Sequence, residues 1–436
     1  MAIALPGTSL AAVQESAPAT TPAPAAEPAD DWTTGIAAYE RGDFAAYQRA
    51  FEALAKVAPE HPMVLARLAS AYALNGKPAE AIGVLSRLAD RGVWTEVSPT
   101  NDFKSLANVP EAAGLRLRLQ SLRDQRVGLA EVAFRISDTK LVPEGVAFDA
   151  RTGAFLISSQ YERKIVRRSS SGEVRDLVGP AQDGLWMAMG IAADAAQRTL
   201  WVASVADESM QGVTAEDAGR TALFAFDLDS GRLKRKLLPP PGTDSTFDDV
   251  ALGAAGAVYV SDSASGTIFT ATADARRLDV LIPPGQLGSP QGMALSADGQ
   301  RLYVSDYGRG IFAIELRAGI VIRLRVPEGM ALLGFDGLQR SGNCLVAVQN
   351  GLEPNKVLSL HLTSDGLGID RTEVLEMNTP WLDEPTLGTV TPDGFVFVAN
   401  SGDGKFRKAK GDFNVFKPSE PLLLRIPAGK LCPEKN

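Results

Sequence analysis

A phrase that the chain repeats limits most strongly what it can become. VPEGVAFD at 142–149 returns as STFDDVAL at 245–252 and as SPQGMALS at 289–296, with a constant apolar frame around a polar residue that changes from Glu144 to Asp248 to Gln291. Each copy opens a pair of short strands joined by a tight turn, and six such pairs can be read: EGVAFDARTGAFLISS from 144, MGIAADAAQRTLWVAS from 189, DDVALGAAGAVYVSDS from 248, QGMALSADGQRLYVSD from 291, DGLQRSGNCLVAVQN from 336 and TLGTVTPDGFVFVANS from 386. Their starts lie 43 to 59 residues apart, which is room for a four-stranded antiparallel blade. The expected architecture is therefore mainly β, a six-bladed β-propeller over residues 130–430. Blade six counts one strand short, since PLLLRI at 421–426 is nearly the last strand, and EVAFRI at 131–136 can fill the gap. Closing the ring in this way removes the exposed edges that invite aggregation.

Ahead of the strands, residues 31–125 carry a helical pattern with a 34-residue repeat: Gly42 returns as Gly76, Ala45 as Ala79, Phe51 as Leu85 and Leu54 as Leu88. The period and the packing positions Leu68, Ala69, Tyr72, Ala81 and Leu85 resemble the tetratricopeptide repeat. Two repeats bury little without a cap, and PEAAGLRLRLQSL at 110–122 can supply one. Such a module implies either a groove for a protein partner or a packing domain that steadies the rest.

With 52 acidic against 44 basic residues the chain carries about −8, no field for nucleic acid. The basic runs RLKRK at 232–236 and KFRKAK at 405–410 read as solvated surface. No apolar stretch is long enough for a membrane span. Residues 1–30 read as the remains of an export signal followed by a Pro/Ala linker, or as a mis-assigned start or plain tail. Export favours a periplasmic or secreted protein, the alternative being a cytoplasmic one. Cys344 and Cys432 permit one disulfide.

In a propeller the inner strands all start at one end of the channel, so the variable position of the repeated phrase forms a ring at its mouth: Glu144, Met189, Asp248, Gln291, Asp336 and Thr386. Blades one, three and five each supply a carboxylate. Converging carboxylates repel, and either a cation neutralises them or some take up protons in a water-filled mouth. A hard ion such as calcium takes oxygen ligands of this kind, whereas two histidines, His61 and His361, and two cysteines leave little for zinc or copper. Asp249 is expected to bond backbone inside the ring, and Asp262 and Asp306 to cap turns. Trp186 and Trp381 read as plugs between blades or as an aromatic wall. The loops 205–220, 350–355 and 401–420 should surround the mouth. The last, with Lys405, Arg407, Lys408 and Lys410, reads as a lid that attracts an anion or neutralises the carboxylates, or as a mobile solvated loop.

PEGVAFD, FDDVALGAAGAVYVSD and SPQGMALSADGQRLYVSD resemble motifs of the senescence marker protein/gluconolactonase family and its relatives, the paraoxonases, diisopropylfluorophosphatase and strictosidine synthase. The resemblance implies calcium held by Glu144, Asp248, Gln291 and Asp336, and a hydrolase acting on a small lactone or related ester, with Asp336 the candidate general base. Asp248 and Gln291 stand where the family has Asn. The other reading is a non-catalytic binding propeller like the NHL-repeat proteins.

Overall fold

The structure, a computed structural model, describes residues 28–98, 101–272 and 274–433. The export-signal expectation falls almost entirely on residues outside that range.

Helices α1 (Pro28–Glu40), α2 (Phe44–Val57), α3 (Pro62–Leu74), α4 (Pro78–Asp90) and α5 (Pro110–Asp124) form the front end, each packed on the next. Pro62, Pro78 and Pro110 open their helices, where the missing N–H costs nothing. Gly42 and Gly76 both sit in turns at positive φ (75° and 68°), the conformation that favours glycine, and this accounts for their place in the repeat. The paired positions Phe51, Leu85, Leu54 and Leu88 are all buried in one apolar cluster. That cluster also takes in Leu333 and Leu352 from the loops of blade five, so the helices are seated on the propeller. Trp94 N–H donates to Glu353 O (2.8 Å) and Lys356 Nζ to Gly92 O (3.0 Å) across the same seam.

Six antiparallel sheets follow. Their inner strands are Pro143–Asp149, Met187–Asp194, Phe247–Leu252, Pro290–Leu295, Phe335–Ser341 and Gly388–Thr391. The strand Glu131–Arg135 pairs with Leu422–Pro427 and completes blade six, as the strand count requires. Blade five departs from expectation, with five strands: Val127–Gly128 pairs with its outer strand Ile369–Met377. The chain leaving α5 thus stitches first onto blade five and then onto blade six, covering two neighbouring edges in succession. Cys344 and Cys432 are joined, with Cα atoms 5.7 Å apart, tying the C-terminal segment to blade five. Among the described residues no helix is long and apolar enough to cross a membrane.

Candidate functional site at the channel mouth

The repeated phrase is a repeated irregularity in the ladder. In blades one to five the pairing of the first two strands slips at the ring position, between Pro143 and Val146, Ala188 and Ile191, Phe247 and Val250, Pro290 and Met293, and Phe335 and Leu338. Such a bulge re-aims the side chain at the break. Next to it stands a glycine in four blades, and each approaches the ring residue of the following blade. A Cβ on Gly145 would meet Met189 O at 2.8 Å, one on Gly190 would meet Asp248 O at 2.6 Å, one on Gly292 would meet Asp336 O at 2.4 Å, and one on Gly337 would meet Thr386 O at 3.1 Å. Thr386 completes the circle by donating its hydroxyl to Glu144 O (2.7 Å). Blade three carries Asp249 in place of the glycine. It accepts from Met293 N–H (3.2 Å) in the next blade, the backbone role expected of it, and burial pushes its carboxyl up to about 7.

The ring residues share a second pattern. Each carboxylate is held through one oxygen by the residue that follows its own blade's second strand: Gln160 Nε2 donates to Glu144 Oε2 (2.7 Å), Ser263 N–H to Asp248 Oδ2 (3.1 Å), and Asn350 Nδ2 to Asp336 Oδ2 (2.7 Å). Gln291 Nε2 donates to Ser289 Oγ (3.3 Å). One oxygen of each, Glu144 Oε1, Asp248 Oδ1, Asp336 Oδ1 and Gln291 Oε1, is left without a protein hydrogen bond among the described residues. Tyr307 completes the Asp336 arm, donating its hydroxyl to Asn350 Oδ1 (3.0 Å).

Burial pushes Asp336 up to about 8 against the Asn350 hydrogen bond, with Asp403 and Asp248 adding repulsion. Burial likewise pushes Asp248 up to about 7, although the Ser263 hydrogen bond and the Arg407 charge oppose it. Glu144 is held well above the usual range by burial and then by Asp336 and Asp403. The mouth therefore binds protons that solvated carboxylates would release.

The segment 401–420 carries a short helix, α6 (Asp403–Lys408), and lies over this ring. It is anchored: Phe406 is fully buried against Tyr161, Phe413 and Phe416. Arg407 reaches the mouth, bonding Asp403 through Nε (2.8 and 3.0 Å), Asp207 through Nη1 (3.3 Å) and Gln160 Oε1 through Nη2 (3.2 Å). Gln160 in turn holds Glu144. KFRKAK is therefore not plain solvated surface, because Phe406 is a core residue and Arg407 neutralises acids. The loops 205–220 and 350–355 also meet the mouth, through Asp207 and Asn350.

Asp262 and Asp306 bond backbone amides of their turns, as expected. Trp186 is buried, with its Nε1 donating to Asp217 and Lys236 Nζ 4.2 Å above its ring, so it fills a gap. Trp381 does not: it is 42% exposed, with Arg135 over its ring. His361 lies on a third strand beside Cys344, away from the ring.

The donor chemistry fits a hard cation: three carboxylates and one amide, each with a free oxygen. In the geometry described, no three carboxylate oxygens of the ring lie within 4.8 Å of one another; among the described residues the one such group of ligand types is Cys344, His361 and Cys432.

No family model matches the chain, and no curated protein matches it. Solved structures similar to it include a gluconolactonase from Xanthomonas campestris, at 18% identity over 69% of this chain and 89% of that one, with a TM-score of 0.46. A putative gluconolactonase shows 18% identity over 68% of this chain and 92% of that one, with a TM-score of 0.46. Virginiamycin B lyase from Staphylococcus aureus shows 15% identity over 62% and 80%, with a TM-score of 0.45. The six blades of this chain rest on its own strand pairing.

Proposed function

We propose that the mouth is a hydrolytic site for a small lactone or related ester that works with a bound divalent cation, calcium by its donor set. The observation that carries this reading is the gathering of Glu144, Asp248, Gln291 and Asp336 at one end of the channel, the three carboxylates each with one oxygen fixed and one free, and the Gln291 amide held through Nε2 with its oxygen free. A calcium ion on those oxygens would favour the ionised carboxylates and polarise the ester carbonyl. Asp336 is the general base: Asn350 and Tyr307 orient it through Oδ2, and Oδ1 takes the proton of the attacking water. Glu144, Asp248, Gln291 and Asp336 together would hold the cation. The anchored lid with Phe406 and Arg407 limits access of bulk water.

One observation favours the alternative, a non-catalytic binding propeller: Arg407 already brings a positive charge to the acids. The test is a calcium titration followed by melting temperature, together with a lactonase assay. A site ligand stabilises the fold by about 2.7 kcal/mol at a hundred times its dissociation constant. On the hydrolase reading Asp336→Asn abolishes turnover and weakens calcium binding, while Glu144→Gln mainly costs calcium affinity. A melting temperature that ignores calcium, with Asp336→Asn more stable than wild type, supports the binding propeller instead.

A further inference from the structure

Away from the mouth, blade five gathers most of the chain's soft ligand atoms in one place. Of two cysteines and two histidines, Cys344, Cys432 and His361 bring their ligand atoms within 4.8 Å of one another. Strand pairing does this: Cys344 opens the strand Cys344–Gln349 and stands opposite His361 on Lys356–Leu362, where facing side chains approach closely. His361 Nδ1 lies 3.3 Å from Cys344 Sγ. On the other side of the ring Nε2 faces Glu373 Oε1 at 3.4 Å, and Arg371 holds that carboxylate through Nη1 (3.0 Å).

The disulfide form leaves the imidazole unsatisfied. A disulfide sulfur has no hydrogen to donate, so the contact with Cys344 requires the proton on Nδ1, and a neutral ring then turns the lone pair of Nε2 toward an anion. Nε2 is buried there and has no hydrogen bond. A metal ion on Nδ1 reverses the roles: the ring proton sits on Nε2, which donates to Glu373, the carboxylate–histidine–metal arrangement that fixes a ligand's tautomer. The segment carrying Cys432 does not depend on the S–S bond for its place. Ser359 Oγ donates to Leu431 O (2.7 Å), Arg371 Nη2 donates to Pro433 O (2.7 Å), and Leu431 is buried. Reduction therefore leaves both thiols beside the ring.

We propose that the reduced form of this clasp is a zinc site, with Cys344 Sγ, Cys432 Sγ and His361 Nδ1 as ligands. The reductant is a dithiol. Its thiolate attacks Cys432 Sγ, the partly exposed sulfur, and Cys344 leaves with the electron pair of the S–S bond and takes up a proton. The second thiol then attacks the mixed disulfide, so the reductant departs as a disulfide and Cys432 is left as a thiol. Zinc displaces the two thiol protons. Two thiolates and a neutral imidazole around Zn2+ carry no net charge, which suits a largely buried place, and soft sulfur selects zinc over calcium. Zinc stands about 2.3 Å from sulfur and about 2.0–2.1 Å from nitrogen, so its ligands lie roughly 3.3–3.8 Å apart. The Cys344–His361 pair already has that spacing, and the two sulfurs must part. The fourth position falls to water, because Cys432 lies partly open to solvent. The site is independent of the reaction at the mouth.

The test uses the full chain, reduced with dithiothreitol under native conditions, exchanged without air into calcium-free buffer, and titrated with cobalt(II) and then zinc. Reduced protein is expected to show a thiolate-to-cobalt charge-transfer band that zinc abolishes, and oxidised protein to show none. Cobalt on the carboxylate ring gives no such band, so the mouth does not enter the readout. The double variant Cys344→Ser, Cys432→Ser is expected to lose the band. In competition with a chromophoric chelator, His361→Gln is expected to weaken zinc at least about tenfold, and Glu373→Gln, which acts through the ring, about tenfold. The proposal is overturned if the reduced, folded protein gives no thiolate band, if His361→Gln, folded as wild type, binds zinc equally well, or if the disulfide yields to dithiothreitol only when the chain unfolds.

Discussion

One strand, Pro143–Asp149, carries a buried carboxylate at each end, and the fold treats the two in opposite ways. At the outer end Asp149 receives two N–H bonds from Arg198 (2.8 and 3.0 Å), with further bonds from Thr152 Oγ1 and Arg151 N–H. Burial pushes its pKa up, but the Arg198 and Thr152 bonds outweigh it, and the group ends below the ordinary value. At the channel end Glu144 has one amide bond and two facing acids, and it is held well above the ordinary value. The same strand shows that this chain can satisfy a buried carboxylate fully. The deficit at the mouth is therefore local to the ring, where three blades leave a carboxylate oxygen free.

The largest effect should come from breaking the satisfied end. Arg198→Met removes the two shortest charged bonds to Asp149, which is 1% exposed, and leaves it only the longer Arg167 pair (3.9 Å); removing one member of a buried pair costs about 3–5 kcal/mol, and Arg167 holds the loss toward the lower end. Urea unfolding should show a loss of that order. By contrast Asp336→Asn replaces a carboxyl that burial and its acidic neighbours already hold largely protonated with a neutral amide, so in calcium-free buffer it should leave stability unchanged or raise it. A comparable loss in both variants would erase the distinction between the two ends.

The pH dependence sharpens the contrast, because the two ends have opposite signs. Asp149 has a depressed pKa in the folded state, so its contribution is present above the unfolded value and is lost as pH falls through the folded one. The mouth groups are raised, Asp336 to about 8 and Asp248 to about 7, so their contribution is present below the unfolded carboxylate value and lost as pH rises toward 7 to 8. Each group that changes proton occupancy on unfolding contributes a slope of about 1.4 kcal/mol per pH unit. Calcium-free melting temperature should therefore fall between pH 5 and 8, and Asp336→Asn should flatten that slope. If calcium binds the ring, adding it should flatten the slope as well, because metal binding favours the ionised carboxylates. A wild-type profile that rises over this range would mean that the mouth groups stay ionised.

How much of this was legible beforehand follows from which interactions are local in sequence. Glu144, Asp248, Gln291 and Asp336 came together because a propeller fixes where each inner strand begins, and strand pairing is written in the alternation of apolar residues. The strand Glu131–Arg135 in blade six could be inferred by counting. The short strand Val127–Gly128 on blade five could not, since two residues carry no periodicity. The residues that hold the ring were missed, yet a signal existed. Gln160, Ser263 and Asn350 each follow a second strand at nearly the same interval from their ring residue, 14 to 16 positions on. The fate of Arg407 depended on Phe406 finding Tyr161 and Phe416, a contact between distant parts of the chain that a basic run does not announce.

Arg407 gives the smallest effect and the most discriminating one. Its guanidinium meets burial, which disfavours the charge, but the charges of Asp403, Asp207 and Glu144 hold its pKa above the ordinary value. Asp403 and Asp207 remain partly open to solvent, so losing their pairs with Arg407→Met should cost only about 1 kcal/mol. The consequence for the ring is different in kind. Removing the one guanidinium that opposes the acids should raise the pKa of Glu144 further and widen the gap between the two ends of its strand. It should also make the ring more attractive to a divalent ion, raising calcium affinity by several fold in a titration at low ionic strength and less at high salt. A loss of calcium affinity in Arg407→Met would instead mean that Arg407 positions Gln160, and through it Glu144, for the cation. Gln160→Ala should then reproduce that loss, which a purely electrostatic role for Arg407 would not predict.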